Sequence, residues 1–177
     1  MLKYSFTFGG VDMREKYGVW CTAYDTFFPP LRSHKITVPG RSGAYDYGSD
    51  EYDERTLRLE CDTRTGKTRA DMREIAYILS KKHEIRIWQE PDKYYVGRLY
   101  DPSELEDLGQ IVYKFTLTFI CEPFAYGETK NVEPDAALWE AAYSGTARTP
   151  TRIQIVNAGD TDAVGIKLTL AERRDIY

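Results

Sequence analysis

The chain has no apolar run that approaches the length of a membrane span, which excludes a helical transmembrane protein. Its N-terminus, Met1-Leu2-Lys3-Tyr4-Ser5-Phe6, lacks a charged segment followed by a long apolar stretch. No secretory signal is expected there. Basic residues are in short supply: 24 Lys and Arg stand against 28 Asp and Glu, a net charge of -4. A nucleic-acid binder carries a basic footprint that neutralises phosphates. Here the basic residues are dispersed among acids, so no specific nucleic-acid binding is expected. The three cysteines, Cys21, Cys61 and Cys121, are odd in number and widely spaced. They fit neither a disulfide framework nor a CxxC metal site. Each falls in a strand-like pattern, so buried reduced thiols and assembly in a reducing cytoplasm are expected. His34 and His83, the only histidines, have no partner at ligand spacing, which argues against zinc. No GxSxG nucleophile elbow is present. Internal repeats and low-complexity tracts are also absent.

What is present is 177 residues rich in aromatics, with 14 Tyr against 7 Phe and 3 Trp. The length suits one domain and a fraction, large enough for a core without staples. Tyr pairs an apolar ring with a polar tip, so it suits half-buried sheet faces and interfaces. Period-two alternation predicts strands at Leu2–Phe8, Val19–Tyr24, Ile36–Val38, Leu57–Cys61, Ile85–Ile87, Tyr94–Tyr100 and Ile111–Cys121. The last is the strongest. Its odd-numbered residues are apolar, and Lys114, Thr116 and Thr118 fill the other face. One helix is convincing: Met72, Ile75, Ala76, Ile78 and Leu79 share a face, Thr68 with Asp71 resembles a capping arrangement, and Lys81 and Lys82 suit the C-terminal dipole. A short helix is expected over Asp135–Tyr143. The fold class expected is α+β and β-rich: an antiparallel, sandwich-like domain with one packed helix and an extended arm, followed by a partial second β domain.

The arm is the segment Gly40–Glu54, GRSGAYDYGSDEYDE, which has no helical period. It reads as a long loop or an extended hairpin projecting from the body, a length that is often functional. Asp50, Glu51, Asp53 and Glu54 beside Tyr45, Tyr47 and Tyr52 allow a glycosidase pair in principle, one carboxyl as acid and one as nucleophile or base. A solvated loop or an interface arm with Tyr anchors fits the same residues. Gly66-Lys67-Thr68 sits where a phosphate loop would sit, but Cys61 occupies the position of its first glycine. A helix start is the better reading. Asp101, Glu104, Glu106 and Asp107 lack EF-hand spacing and read as a polar connection. No catalytic, metal or cofactor site is expected.

An ordered set of short segments resembles the distal tail proteins (Dit) of long-tailed phages. The opening YSFTFGG then GVWCTAY carries the resemblance, as do ITVPGRSG at Ile36–Gly43, the helix around Met72–Leu79, and FTLTFICEPFAY at Phe115–Tyr126. It covers roughly residues 1–126, and Pro150–Leu170 resembles the start of the family's galectin-like second domain. The resemblance implies a structural protein and not an enzyme: a homo-hexameric ring at the virion tail tip, assembled in the host cytoplasm. The ring would join the tail tube protein to tail-tip and receptor-binding proteins, with DNA passing through it. The implied organisation is a ring-forming domain over 1–127, a linker over 128–150 and the start of a galectin-like sandwich over 151–177. Candidate subunit contacts are Pro39, Gly40, Arg41, Gly43, Tyr45, Tyr47 and Tyr52 in the arm, and Lys114, Thr116 and Thr118 on the sheet. A carbohydrate-binding baseplate module and a cell-wall glycoside hydrolase are the rival functions.

Overall fold

The computed structural model describes residues 1–25, 28–47, 51–63, 66–102, 106–108, 112–134, 139, 145–147, 149 and 151–169. Asp50, Glu104, Ile111, Leu170 and all of the expected helix at 135–143 except Trp139 lie outside them. The chain divides into two units, Met1–Trp139 and Glu140–Tyr177.

In the first unit the elements follow the period-two segments closely. They are β1 (Phe6–Phe8), β2 (Val11–Asp12), α1 (Met13–Tyr17), β3 (Val19–Asp25), β4 (Lys35–Thr37), β5 (Ala44–Asp46), β6 (Arg55–Thr63), α2 (Arg69–Leu79), β7 (His83–Ile87), β8 (Tyr95–Pro102), β9 (Glu106–Leu108) and β10 (Val112–Cys121). Eight strands form one sheet in the order β2-β1-β7-β8-β10-β6-β3, with β9 also paired to β10; β4 and β5 form a separate two-stranded sheet. Every pairing is antiparallel. The Cys21 N–H, at one end of the path, donates to the Tyr4 carbonyl just before β1 at 2.9 Å. The sheet therefore curls until its two ends approach one another.

One face of the curled sheet and both helices make a single core. Phe6, Phe8, Val19, Cys21, Leu57, Leu59, Cys61, Ile85, Ile87, Tyr95, Tyr113, Phe115, Leu117, Phe119 and Cys121 are buried with Met13, Tyr17, Ile75 and Leu79 from the helices. Alternation in β10 places Tyr113 to Cys121 inward and Lys114, Thr116 and Thr118 outward. The three thiols are buried and free, as expected. The Thr68 hydroxyl caps α2 by accepting from the Asp71 N–H at 3.3 Å, and Asp71 accepts from the Thr68 N–H at 2.7 Å. Gly66-Lys67-Thr68 is thus a helix start.

Several expectations are corrected. The first strand begins at Phe6 and not at Leu2, because Tyr4 takes φ 56° and breaks the period. A five-residue helix, α1, follows the Gly9-Gly10 turn; Asp12 caps it by accepting from the Arg14 and Glu15 N–H groups at 3.0 and 3.1 Å. It is too short for a periodic signal. Helix α2 ends at Leu79, so Lys81 and Lys82 lie beyond its last turn. Lys82 instead pairs with Glu122 at 2.7 Å. Glu106 and Asp107 belong to β9, paired with Lys114 and Tyr113, rather than to a connection. In the second unit, the alternating Ile153 and Ile155, and Ile166 and Leu168, form no ladder among the described residues; Leu170, which continues the second run, lies outside them.

Candidate functional site

The described parts of the Gly40–Glu54 segment, 40–47 and 51–54, belong to the returning half of a longer two-legged arm. The Asp53 N–H donates to the Pro30 carbonyl at 2.8 Å, the Arg32 N–H to Glu51 at 3.0 Å and the Tyr47 N–H to His34 at 3.0 Å. Beyond these rungs, toward the tip, β4 pairs with β5, setting Ile36 opposite Tyr45 and Lys35 opposite Asp46. Val38-Pro39-Gly40-Arg41 closes the tip. The Arg41 N–H donates to the Val38 carbonyl at 3.3 Å and Gly40 has φ 81°. Pro followed by a positive-φ Gly is the sequence of a type II turn. Gly43, two residues past the turn, also has a positive φ, 84°.

The ribbon has two unlike faces. Residues that alternate along one strand and oppose each other across the pair share a face. On that rule Ile36, Val38, Tyr45 and Tyr47 lie together, and Lys35, Thr37, Ala44 and Asp46 lie opposite. The apolar face is in solvent: Ile36 is 54% exposed, Val38 44%, Tyr45 47% and Tyr47 63%. The Tyr45 and Tyr47 rings lie 5.6 Å apart, and the Arg41 guanidinium sits 4.4 Å above the Tyr45 ring. A face of this kind is the mark of an interaction site.

The root of the arm is fixed to the body. Tyr52 packs edge-on against Phe124, just past β10, at 5.1 Å, and Leu31 bridges to Tyr52. Tyr52 is half-buried, so it anchors the arm, while Tyr45 and Tyr47 project from it. Arg32 holds Asp53 at 2.7 Å and Glu51 at 3.4 Å. Those two carboxylates are 50% and 62% exposed. They form a solvated ion-pair clasp and not a cleft pair.

The outer face of β10 differs from the arm. Lys114 is exposed, and Thr116 and Thr118 are half-buried. They stand opposite Asp62, Glu60 and Arg58 of β6. Arg58 and Glu60 pair at 3.4 Å. This is a polar ladder satisfied largely within the sheet. The sequence reading singled out Tyr45 and Tyr47 but not Ile36 and Val38, which share their exposed face. Their alternation was visible; that no core lies opposite them was not.

The fold is therefore a curled antiparallel β sheet bearing a half-apolar, solvent-exposed ribbon. The chain belongs to the family of the phage tail protein RIFT-related domain, whose model matches residues 21–121, and it is a structural component of the phage tail. A solved structure with the same fold is that of the distal tail protein Dit (gp 19.1) of phage SPP1, described as a paradigm of the hub adsorption apparatus in phages infecting Gram-positive bacteria. The likeness has a TM-score of 0.56 at 23% identity, over 70% of this chain and 52% of that one. The match thus spans about half the length of the SPP1 protein. No curated protein matches the sequence. The expected kinship with distal tail proteins holds at the level of family and fold.

Proposed function

We propose that the chain is a distal tail hub subunit that closes into a homo-hexameric ring, with the arm clasping the neighbouring copy. The observation that carries this is the apolar face of the ribbon, Ile36, Val38, Tyr45 and Tyr47, exposed on an arm whose root is rigidly anchored. A ring needs a heterologous contact, one patch meeting a different patch on the next copy. A protruding arm supplies one half of such a contact. Pro39, Gly40, Arg41 and Gly43 shape its tip, and the Lys114, Thr116 and Thr118 face is a candidate for the receiving surface.

In this reading the ring joins the tail tube protein to tail-tip and receptor-binding proteins and is assembled in the host cytoplasm. A net charge of -4 suits a channel wall that lets DNA pass without holding it. The first unit builds the ring, and the strand-patterned Ile153–Leu168 segment begins a second β domain. Two strands are marginal alone, which fits their lack of pairing here.

Native mass spectrometry with negative-stain imaging tests the proposal. A discrete hexameric species and annular particles are expected. A protein that stays monomeric at all concentrations would overturn the ring.

A further inference from the structure

We propose that Cys21 and Cys61 form a latent cross-strand disulfide, closed by a small-molecule disulfide after the protein leaves its reducing compartment, that ties β3 to β6.

The argument starts from register. Cys21 and Cys61 are direct partners in the β3–β6 ladder. The Cys21 N–H points away from β6, to the Tyr4 carbonyl. In an antiparallel strand a residue's N–H and C=O face the same neighbour, so this is a non-hydrogen-bonded pair. Such pairs bring Cα atoms to roughly 4.5 Å, with side chains closer than at the alternate sites. A disulfide needs Cα atoms about 4.4–6.8 Å apart. Both thiols lie on the same buried face, at 3% and 4% exposure.

Cys121 is not a competing partner. The residue of β10 opposite Cys61 is Phe115, and six further residues of strand place Cys121 about 20 Å along. The chemistry is ordinary exchange. The Cys21 thiolate attacks one sulfur of a small disulfide and expels one thiolate, leaving a mixed disulfide. The Cys61 thiolate then attacks the Cys21 sulfur and expels the second. Two protein thiols are oxidised, one small disulfide is reduced to two thiols, and the two protons pass through solvent from the protein thiols to the released thiolates.

Location and accessibility fit the step. A tail component is carried on a released virion, where disulfides persist. β3 ends the sheet path, so it opens more readily than the interior strands. Burial pushes the Cys21 thiol up to about 12 and the Cys61 thiol well up. Exchange proceeds through thiolate, so it is slow at neutral pH and faster in alkali.

The test incubates the full chain with oxidised glutathione at alkaline pH across sub-denaturing urea, then unfolds, alkylates and maps peptides. One alkyl adduct in place of three, a mass loss of about 2 Da and a Cys21–Cys61 linkage are expected. The oxidised protein should melt about 10 °C higher, reversibly on reduction. The Cys121→Ala variant should oxidise like the parent, and Cys61→Ala should yield only glutathione adducts. Three adducts at every urea concentration, including one where hydrogen exchange reports β3 open, would overturn the proposal. So would a linkage that includes Cys121.

Discussion

Single residues hold this sheet at its tightest and most electrostatic points. A Cβ on Gly97 would lie 2.5 Å from the Cys121 Sγ and 2.8 Å from the Ile120 carbonyl oxygen. Gly97→Ala should therefore destabilise the fold by about 1–3 kcal/mol, read as a lower urea midpoint. The carboxyls set an acid limit. Glu122 is held below the usual range by the Lys82 ammonium and by the Tyr126 hydroxyl, which donates at 2.7 Å; Tyr126 itself is pushed up to about 12 by burial and by Glu122. At Asp12, burial works upward, but hydrogen bonds from the Ser5 hydroxyl and the amides of Glu15, Arg14 and Leu2 outweigh it and leave the carboxyl low. A folded-state pKa below the unfolded one gives stability that is present above the unfolded value and lost as pH falls through the folded one. Stability should hold above roughly pH 5 and decline below about pH 4. Urea midpoints across that window should fall less steeply in the Asp12→Asn, Glu122→Gln double variant. An unchanged slope would show that other groups govern acid unfolding.

Elements divide into those that make the body and one that leaves it. Helix α2 depends on its capping box, so Thr68→Ala should cost about 1 kcal/mol and Thr68→Ser far less, measured by thermal melts. The β4–β5 ribbon answers to different forces. Its apolar face gains nothing from the core, so replacing Tyr45 and Tyr47 by Ser should leave the subunit's melting temperature within about 1 °C. The same double variant should shift assemblies toward monomer in native mass spectra. Tyr52→Ala should loosen the arm at its root by removing the Phe124 contact, and so weaken assembly along with subunit stability. A double variant that melts early would place Tyr45 and Tyr47 in the fold rather than at a contact.

At the scale of the whole molecule, the proposed ring uses the curled sheet as its body and the arm as a directional contact. A directional contact between identical copies gives a closed ring or an open filament, according to the rotation it imposes. Closure predicts one dominant stoichiometry over a wide concentration range; a ladder of sizes in sedimentation velocity would indicate an open polymer instead. The apolar ribbon contact should tolerate added salt, because screening acts on exposed charges and not on apolar burial. Assembly that collapses in moderate salt would point to the polar face of β10 as the main contact.

The sequence by itself determined the main strands, the α2 helix and its cap, the strand positions of the three cysteines and the presence of an arm. Each of these is written in local periodicity, capping or turn chemistry: Tyr113 to Cys121 alternate whatever they pair with, and Pro39-Gly40 turns wherever it stands. Only the tertiary structure decided which strands meet, that Tyr4 bonds Cys21 and curls the sheet, and that Cys21 faces Cys61. It also separated Tyr52, an anchor on Phe124, from Tyr45 and Tyr47, which face solvent with Ile36 and Val38. The reason is physical. Alternation says that one face of a strand is apolar, but whether that face meets a core or open water depends on residues far away in the chain.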